Sequence, residues 1–159
     1  MTLPGNPVEL HDKMDEVYKL YENARKSGNL FEALTLANLF TLGAVVSMIL
    51  AVRRDYFMLA RKTKKIAEYE HKQLKDLKER EGYRILYLMG FISKETYNAL
   101  NAFFNKRNDA THRYIFEGTK YESITQVLIL HDKAIELFIE DQRSFMENLE
   151  KNHTAIAKK

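Results

Sequence analysis

Cysteine is absent from the 159 residues, which excludes a disulfide framework and any thiolate metal site and makes a reducing interior, the cytoplasm, the expected compartment. Proline is nearly absent too. Both prolines fall within the first seven residues, and only six glycines occur, so beyond the amino terminus there are few places where a helix must stop. An all-β fold would need many more turns. The chain also lacks a glycine-rich phosphate loop, an H-E-x-x-H helix and a serine nucleophile elbow.

Charge is missing from one long stretch. Residues Ala33 to Val52 carry none, and twenty helical residues would span about 30 Å, the thickness of a bilayer core. Arg53 and Arg54 would flank such a span. Thr35, Asn38, Thr41, Gly43 and Ser47 interrupt the run, and the other helical stripes need an apolar partner. The expectation is therefore a buried central helix, with no stable membrane insertion and a small membrane protein as the lesser alternative. The polar-containing residues ahead of the run argue against a signal peptide.

What is present is helical periodicity. Asn6 and Pro7 read as a helix start, with Leu10, Met14, Val17 and Tyr21 on one face and Ser27, Gly28 and Asn29 as the stop. The next helix should run from Leu30 to about Lys62. Beyond Thr63 the pattern becomes sparser, with Ile66, Leu74 and Leu77 apolar among many charges, as on a helix with one buried edge. The stretch from Glu81 to Met89 turns apolar again. Gly90 is a helix stop, and Ser93 an N-cap for a helix to about Lys106 that buries Tyr97, Leu100, Phe103 and Phe104. A last helix from about Tyr121 places Ile124, Val127, Leu128, Ile135, Phe138 and Phe145 inward. These elements predict an all-α, up-and-down helical bundle in a single domain, residues 1–150. Residues 1–28 form an N-terminal helix extension, 29–150 the bundle, and 151–159 a polar, frayed tail.

The formal charge of +3 is unevenly distributed. Between Arg53 and Arg80 about ten basic residues face about five acidic ones, a stretch that attracts polyanions such as RNA. The same residues also fit a solvated face with i,i+4 pairs, Glu68 with Lys72 and Glu79 with Lys75.

The segment Asn105-Lys-Arg-Asn-Asp-Ala-Thr-His-Arg-Tyr114 carries the chemistry. Arg107, Asn108, His112 and Tyr114 give the spacing R-N-x-x-x-H-x-Y, preceded by Leu88-Met-Gly-Phe-Ile-Ser-Lys-Glu95 and Leu100. This pattern resembles the HEPN family, closest to HEPN toxins paired with small nucleotidyltransferases. The likeness covers roughly Leu30 to Glu150 and is specific from Leu86 to Tyr114. It implies a dimerising helical bundle and, in active members, a metal-independent endoribonuclease with Arg107 and His112 as the catalytic pair. Asn108 and Tyr114 would support them. A nucleotidyltransferase-type antitoxin is the partner implied, with the tyrosine at Tyr114 as a target of modification.

On one continuous helix, residues five apart are rotated by about 140°, so Arg107 and His112 would not share a face, whereas Asn108 and His112 would. A helix break near Asn108 and Asp109, both good N-caps, is therefore expected to bring guanidinium and imidazole together. Metal-free RNA cleavage uses the adjacent 2′-hydroxyl and needs a base, an acid and a cation. Histidine suits proton transfer and arginine grips phosphate. One protomer offers one motif histidine, so a two-fold homodimer would complete the site. The alternative is a catalytically inactive HEPN-like protein that binds nucleotide or RNA, or serves as a scaffold, with the Arg, Asn and His cluster capping helix ends and joining buried polar groups.

Two Glu-x-x-His spacings, Glu68 to His71 and Glu150 to His153, match a di-iron bundle pattern. They lie in a charged stretch and in the tail, Glu32 is the one further inward carboxylate to suggest itself, and no metal or other cofactor is expected. His11 and His131 read as surface or bundle residues. Of Phe103, Phe104, Tyr114, Phe116 and Tyr121, most should be core, although each could stack a base.

Overall fold

A computed structural model describes residues 7–60, 78–117 and 121–156, and the side chains of 12–49, 78–112 and 123–148. Every element in it is a helix: α1 (Pro7–Lys26), α2 (Leu30–Ala60), α3 (Glu79–Leu88), α4 (Lys94–Glu117) and α5 (Tyr121–Ile156). The bundle expected from the periodicity is present. No strand occurs among the described residues.

Two glycines set the sharp turns. After α1, Gly28 adopts φ +75°, and the amides of Gly28 and Asn29 donate to the carbonyls of Arg25 and Ala24. After α3, Gly90 repeats the arrangement with φ +75°, its own amide and that of Phe91 reaching Tyr87 and Leu86. Both closures satisfy helix-end carbonyls that would otherwise lack donors. The turn at 27–29 is so short that α2 must fold straight back along α1. Gly43 marks a close approach of these helices: a Cβ there would stand 3.2 Å from Met14 Cγ.

α2 is the central element and packs against α1, α3 and α5, while α4 lies on α3 and α5. Its first half buries Ala33, Leu34 and Ala37 with Tyr21, Phe103, Ile124 and Leu128. Farther along, Val45, Met48 and Ile49 meet Tyr83, Leu86, Leu100 and Phe138. Thr41 lies between these two clusters in sequence, and its fully buried hydroxyl donates to the Ala37 carbonyl at 2.9 Å. A polar residue in the apolar run is thus satisfied within its own turn. Among the described residues, Leu30–Ile49 is the one stretch long and apolar enough to cross a membrane. Here its small and branched residues supply the common wall of both core clusters.

Several boundaries depart from the sequence reading. α4 does not stop near Lys106 but continues to Glu117, and no break occurs at Asn108 or Asp109. Neither glycine nor proline interrupts this stretch, the polar residues carry only fractions of a kcal/mol of helix penalty each, and Ala110 is buried against α5. Tertiary packing outweighs those penalties, and the Thr111 hydroxyl is satisfied within the helix, Oγ1 donating to the Arg107 carbonyl at 2.9 Å. The last helix also reaches Ile156, beyond Lys151 where a frayed tail was expected. The one-edge helix expected between Thr63 and Leu77 lies outside the described residues.

Ser93 is the N-cap of α4: its Oγ accepts the Thr96 amide at 3.1 Å, and its own amide donates to Asp141 Oδ2 of α5 at 2.7 Å. Ser93→Ala should lower stability by about 1 kcal/mol. Phe138→Ala, opening a cavity beside α2, should lower it by roughly 3–5 kcal/mol. Urea unfolding of both variants checks the ranking.

Candidate functional site

The sequence motif sits on the continuous part of α4, where it faces α3. Arg80 Nε donates to Asn101 Oδ1 at 3.3 Å, and Tyr87 stacks on Tyr97 at 4.9 Å, so α3 runs back along α4 with Glu79 near Arg107. The Arg107 guanidinium lies over the Phe104 ring, 4.7 Å from its centre. Its Nη1 meets Glu79 Oε2 at 2.7 Å. Both Nε and Nη2 donate to Asn108 Oδ1, at 3.2 and 2.8 Å. The pair is largely removed from water, the Arg107 and Glu79 side chains being 13% and 10% exposed. The second Glu79 oxygen accepts the Tyr83 hydroxyl.

Burial shifts the ionisation of this cluster. It pushes the Glu79 carboxyl above its ordinary value, and the Tyr83 hydrogen bond and the Arg107 charge pull it only partly back. Burial also raises the Tyr83 hydroxyl, with the Glu79 charge adding to the effect. Arg107 is therefore held by a carboxylate, an amide oxygen and a ring face rather than presented to solvent. Lys75, the i,i+4 partner expected for Glu79, lies outside the described residues; Glu79 Oε2 is taken up by Arg107. Sequence separation conceals this contact, since 28 positions divide the partners.

His112 is exposed, five residues and about 140° around the helix from Arg107. The expected convergence of guanidinium and imidazole therefore does not occur within one protomer, because α4 never breaks. Asn108 and His112 are brought together instead, one turn apart on the same face. Of the two ends of a side-chain amide only the carbonyl oxygen can accept from arginine, so the two bonds from Arg107 fix which end of the Asn108 amide faces it and turn the NH₂ group the other way. Tyr114, Phe116 and Tyr121 have side chains outside the described set. Phe103 is fully buried core, and Phe104 supports Arg107.

A second polar cluster, unforeseen from the sequence, ties α1 to α5. Arg25 Nη1 meets Asp132 Oδ2 at 2.5 Å, and the Tyr21 hydroxyl donates to Asp132 Oδ1 at 2.6 Å. Burial alone would raise the Asp132 carboxyl; hydrogen bonds from His131, Tyr21 and Arg25, with the Arg25 charge, outweigh it and hold it below its ordinary value. His131 is buried, with the rings of Tyr21 and Phe103 each 5.1 Å away. Its Nδ1 is 3.3 Å from Asp132 Oδ1. The reading of His131 as a bundle residue agrees with this placement. The one local signal was the i,i+4 spacing of Tyr21 and Arg25.

Among the described residues no group of three metal-ligating side chains occurs. Glu32 is exposed and accepts Asn29 Nδ2 at 2.6 Å, so it is not an inward carboxylate. The side chains of Glu68, His71, Glu150 and His153 lie outside the described residues. A cleft of about 200 Å³ opens between α4 and α5, lined by Lys106, Asp109, Ala110, Ser123, Gln126, Val127 and Leu130.

The two carboxylates should act on stability with opposite sign. Glu79 has a folded-state pKa above its ordinary 4.5, so its contribution is complete below that value and is lost as pH rises through the folded pKa. Asp132 has a folded-state pKa below its ordinary 3.8, so its contribution is present above that value and is lost as pH falls through the folded pKa. Glu79→Gln should therefore remove a loss on the rising side and Asp132→Asn a loss on the falling side, read from urea midpoints across the acidic range. Arg107→Ala, which strands a buried carboxylate, should cost roughly 3 kcal/mol at neutral pH.

No protein-family model, curated protein or solved structure matches the chain.

Proposed function

We propose that this chain is a HEPN-like, metal-independent endoribonuclease that acts as a cytoplasmic homodimer. The observation that carries the reading is the division of labour along α4: Arg107 is anchored, Asn108 is oriented by it, and His112 stands exposed on the Asn108 face. In this reading His112 moves protons and the Asn108 NH₂ group donates to a phosphate oxygen. Arg107 is a positioning residue whose charge, offset by Glu79, reaches the phosphate through Asn108.

The reaction breaks the bond from phosphorus to the 5′-oxygen of the next nucleotide. The 2′-hydroxyl attacks phosphorus as one histidine takes its proton. A 2′,3′-cyclic phosphate forms, and a second histidine protonates the departing 5′-oxygen. Two histidines are needed, and a two-fold interface repeats each exposed His112 face once. A nucleotidyltransferase-type antitoxin acting on Tyr114 belongs to the same proposal.

A second reading has a specific observation in its favour. The Glu79–Arg107 pair leaves the motif cation largely neutralised, as suits a silent HEPN-like binding or scaffold module. Incubation with single-stranded RNA in EDTA separates the two. The nuclease reading expects cleavage that His112→Ala reduces at least a hundredfold, with the helical signal and urea midpoint retained. Intact RNA after incubation with wild-type protein, or cleavage that survives His112→Ala in a clean preparation, would overturn it.

A further inference from the structure

The cleft between α4 and α5 opens beside the motif. Its floor is apolar, made by Ala110 and Val127, both buried, with Leu130 partly buried. Its rim is polar and solvent-facing: Lys106 and Asp109 project from α4 and Gln126 from α5. An apolar floor with a few convergent polar groups is the usual build of a ligand site. The volume of about 200 Å³ falls below the ~300–1,000 Å³ of most drug-sized clefts. It accommodates one flat heterocycle rather than a whole nucleotide.

The rim carries a definite hydrogen-bond pattern. Lys106 and Asp109 are three residues apart, hence neighbours on the helix surface. They set an obligate donor, the ammonium, beside an acceptor-only carboxylate. A guanine Watson–Crick edge is the complement: its O6 accepts, while N1–H and N2–H donate side by side and suit both oxygens of one carboxylate. Adenine and cytosine each offer a single exocyclic amino donor on that edge and uracil a single ring N–H, so none engages both carboxylate oxygens in this way. The Gln126 amide on the opposite rim has both a donor and an acceptor for the remaining edge.

The cleft also lies at a useful distance from the proton-transfer group. Asp109 and His112 are again three residues apart, separated by about 60° of rotation and ~4.5 Å of rise. The cleft therefore borders the face that carries Asn108 and His112, within reach of the ribose and phosphate of a base held against Asp109.

We infer that the α4–α5 cleft is a guanine-recognition subsite, with Asp109 reading the Watson–Crick edge of an unpaired guanine in an RNA strand and Lys106 and Gln126 completing the contact. It rests on the RNA-directed reading of the neighbouring motif, but it is tested by binding rather than by cleavage.

The probes are guanosine 5′-monophosphate, adenosine 5′-monophosphate and short single-stranded RNAs containing one guanine or none, titrated into the full chain and followed through its backbone amide resonances. Guanosine monophosphate should shift amides around Asp109 and Gln126 and bind at least roughly tenfold more tightly than adenosine monophosphate. Asp109→Asn should remove that preference while leaving the fold unchanged, and His112→Ala should leave it intact. The guanine-containing RNA should bind more tightly than the free nucleotide. Equal binding of the two nucleotides, shifts elsewhere in the molecule, or an unaltered preference in Asp109→Asn would overturn the subsite. Tighter binding of the free nucleotide than of the RNA would overturn its assignment to a strand. Guanine binding without any RNA cleavage sustains the subsite and removes the nuclease; cleavage with no guanine preference does the reverse.

Discussion

The fold depends on the burial of α2. This helix packs against α1, α3 and α5, and its uncharged residues form the shared wall of both core clusters. Apolar area removed from water contributes on the order of 25 cal/mol per Å². A helix that presents such area to several neighbours can therefore order them all, while α1, with a single long side against α2, needs the additional anchoring of Arg25 and Tyr21 on Asp132.

The same packing explains which parts of the architecture were legible in the sequence. Helix ends set by local chemistry were: Gly28 and Gly90 in the left-handed region, and Ser93 capping α4, follow from rules that operate within a few residues. The inward residues of α5 followed from periodicity, and Ile124, Val127, Leu128, Ile135 and Phe138 are all buried. The end of α4 did not. Asn108 and Asp109 have the side chains of N-caps, but capping requires the chain to leave the helix, and burial of Ala110 against α5 holds it there.

That one difference redistributed the candidate site. A broken helix would have let Arg107 and His112 converge; an unbroken one separates them and pairs Asn108 with His112. Which residue would capture Arg107 was not legible, because Glu79 belongs to a different helix and its sequence neighbourhood offered Lys75 as a local partner. The Arg25–Asp132 contact was hidden for the same reason, with 107 positions between the two. A short-range motif singles out candidate side chains, whereas long-range ion pairs decide which of them are engaged elsewhere in the fold.

The contrast between the two ion pairs bears on how each is retained. Asp132 is 41% exposed on its side chain and Arg25 35%, so water screens that pair and its net worth is modest. Glu79 and Arg107 are far less exposed, and for such a pair desolvation can cancel the attraction. Burial indeed dominates at Glu79, whose carboxyl stays above its ordinary range despite a cation within hydrogen-bond distance. An ion pair whose attraction desolvation can cancel, yet which fixes an asparagine amide one turn from an exposed histidine, is a device for orientation more than a stabilising contact. Under the proposed function, orientation is what the Asn108 amide requires to meet a phosphate, since one turn of α4 separates it from the imidazole it would have to serve.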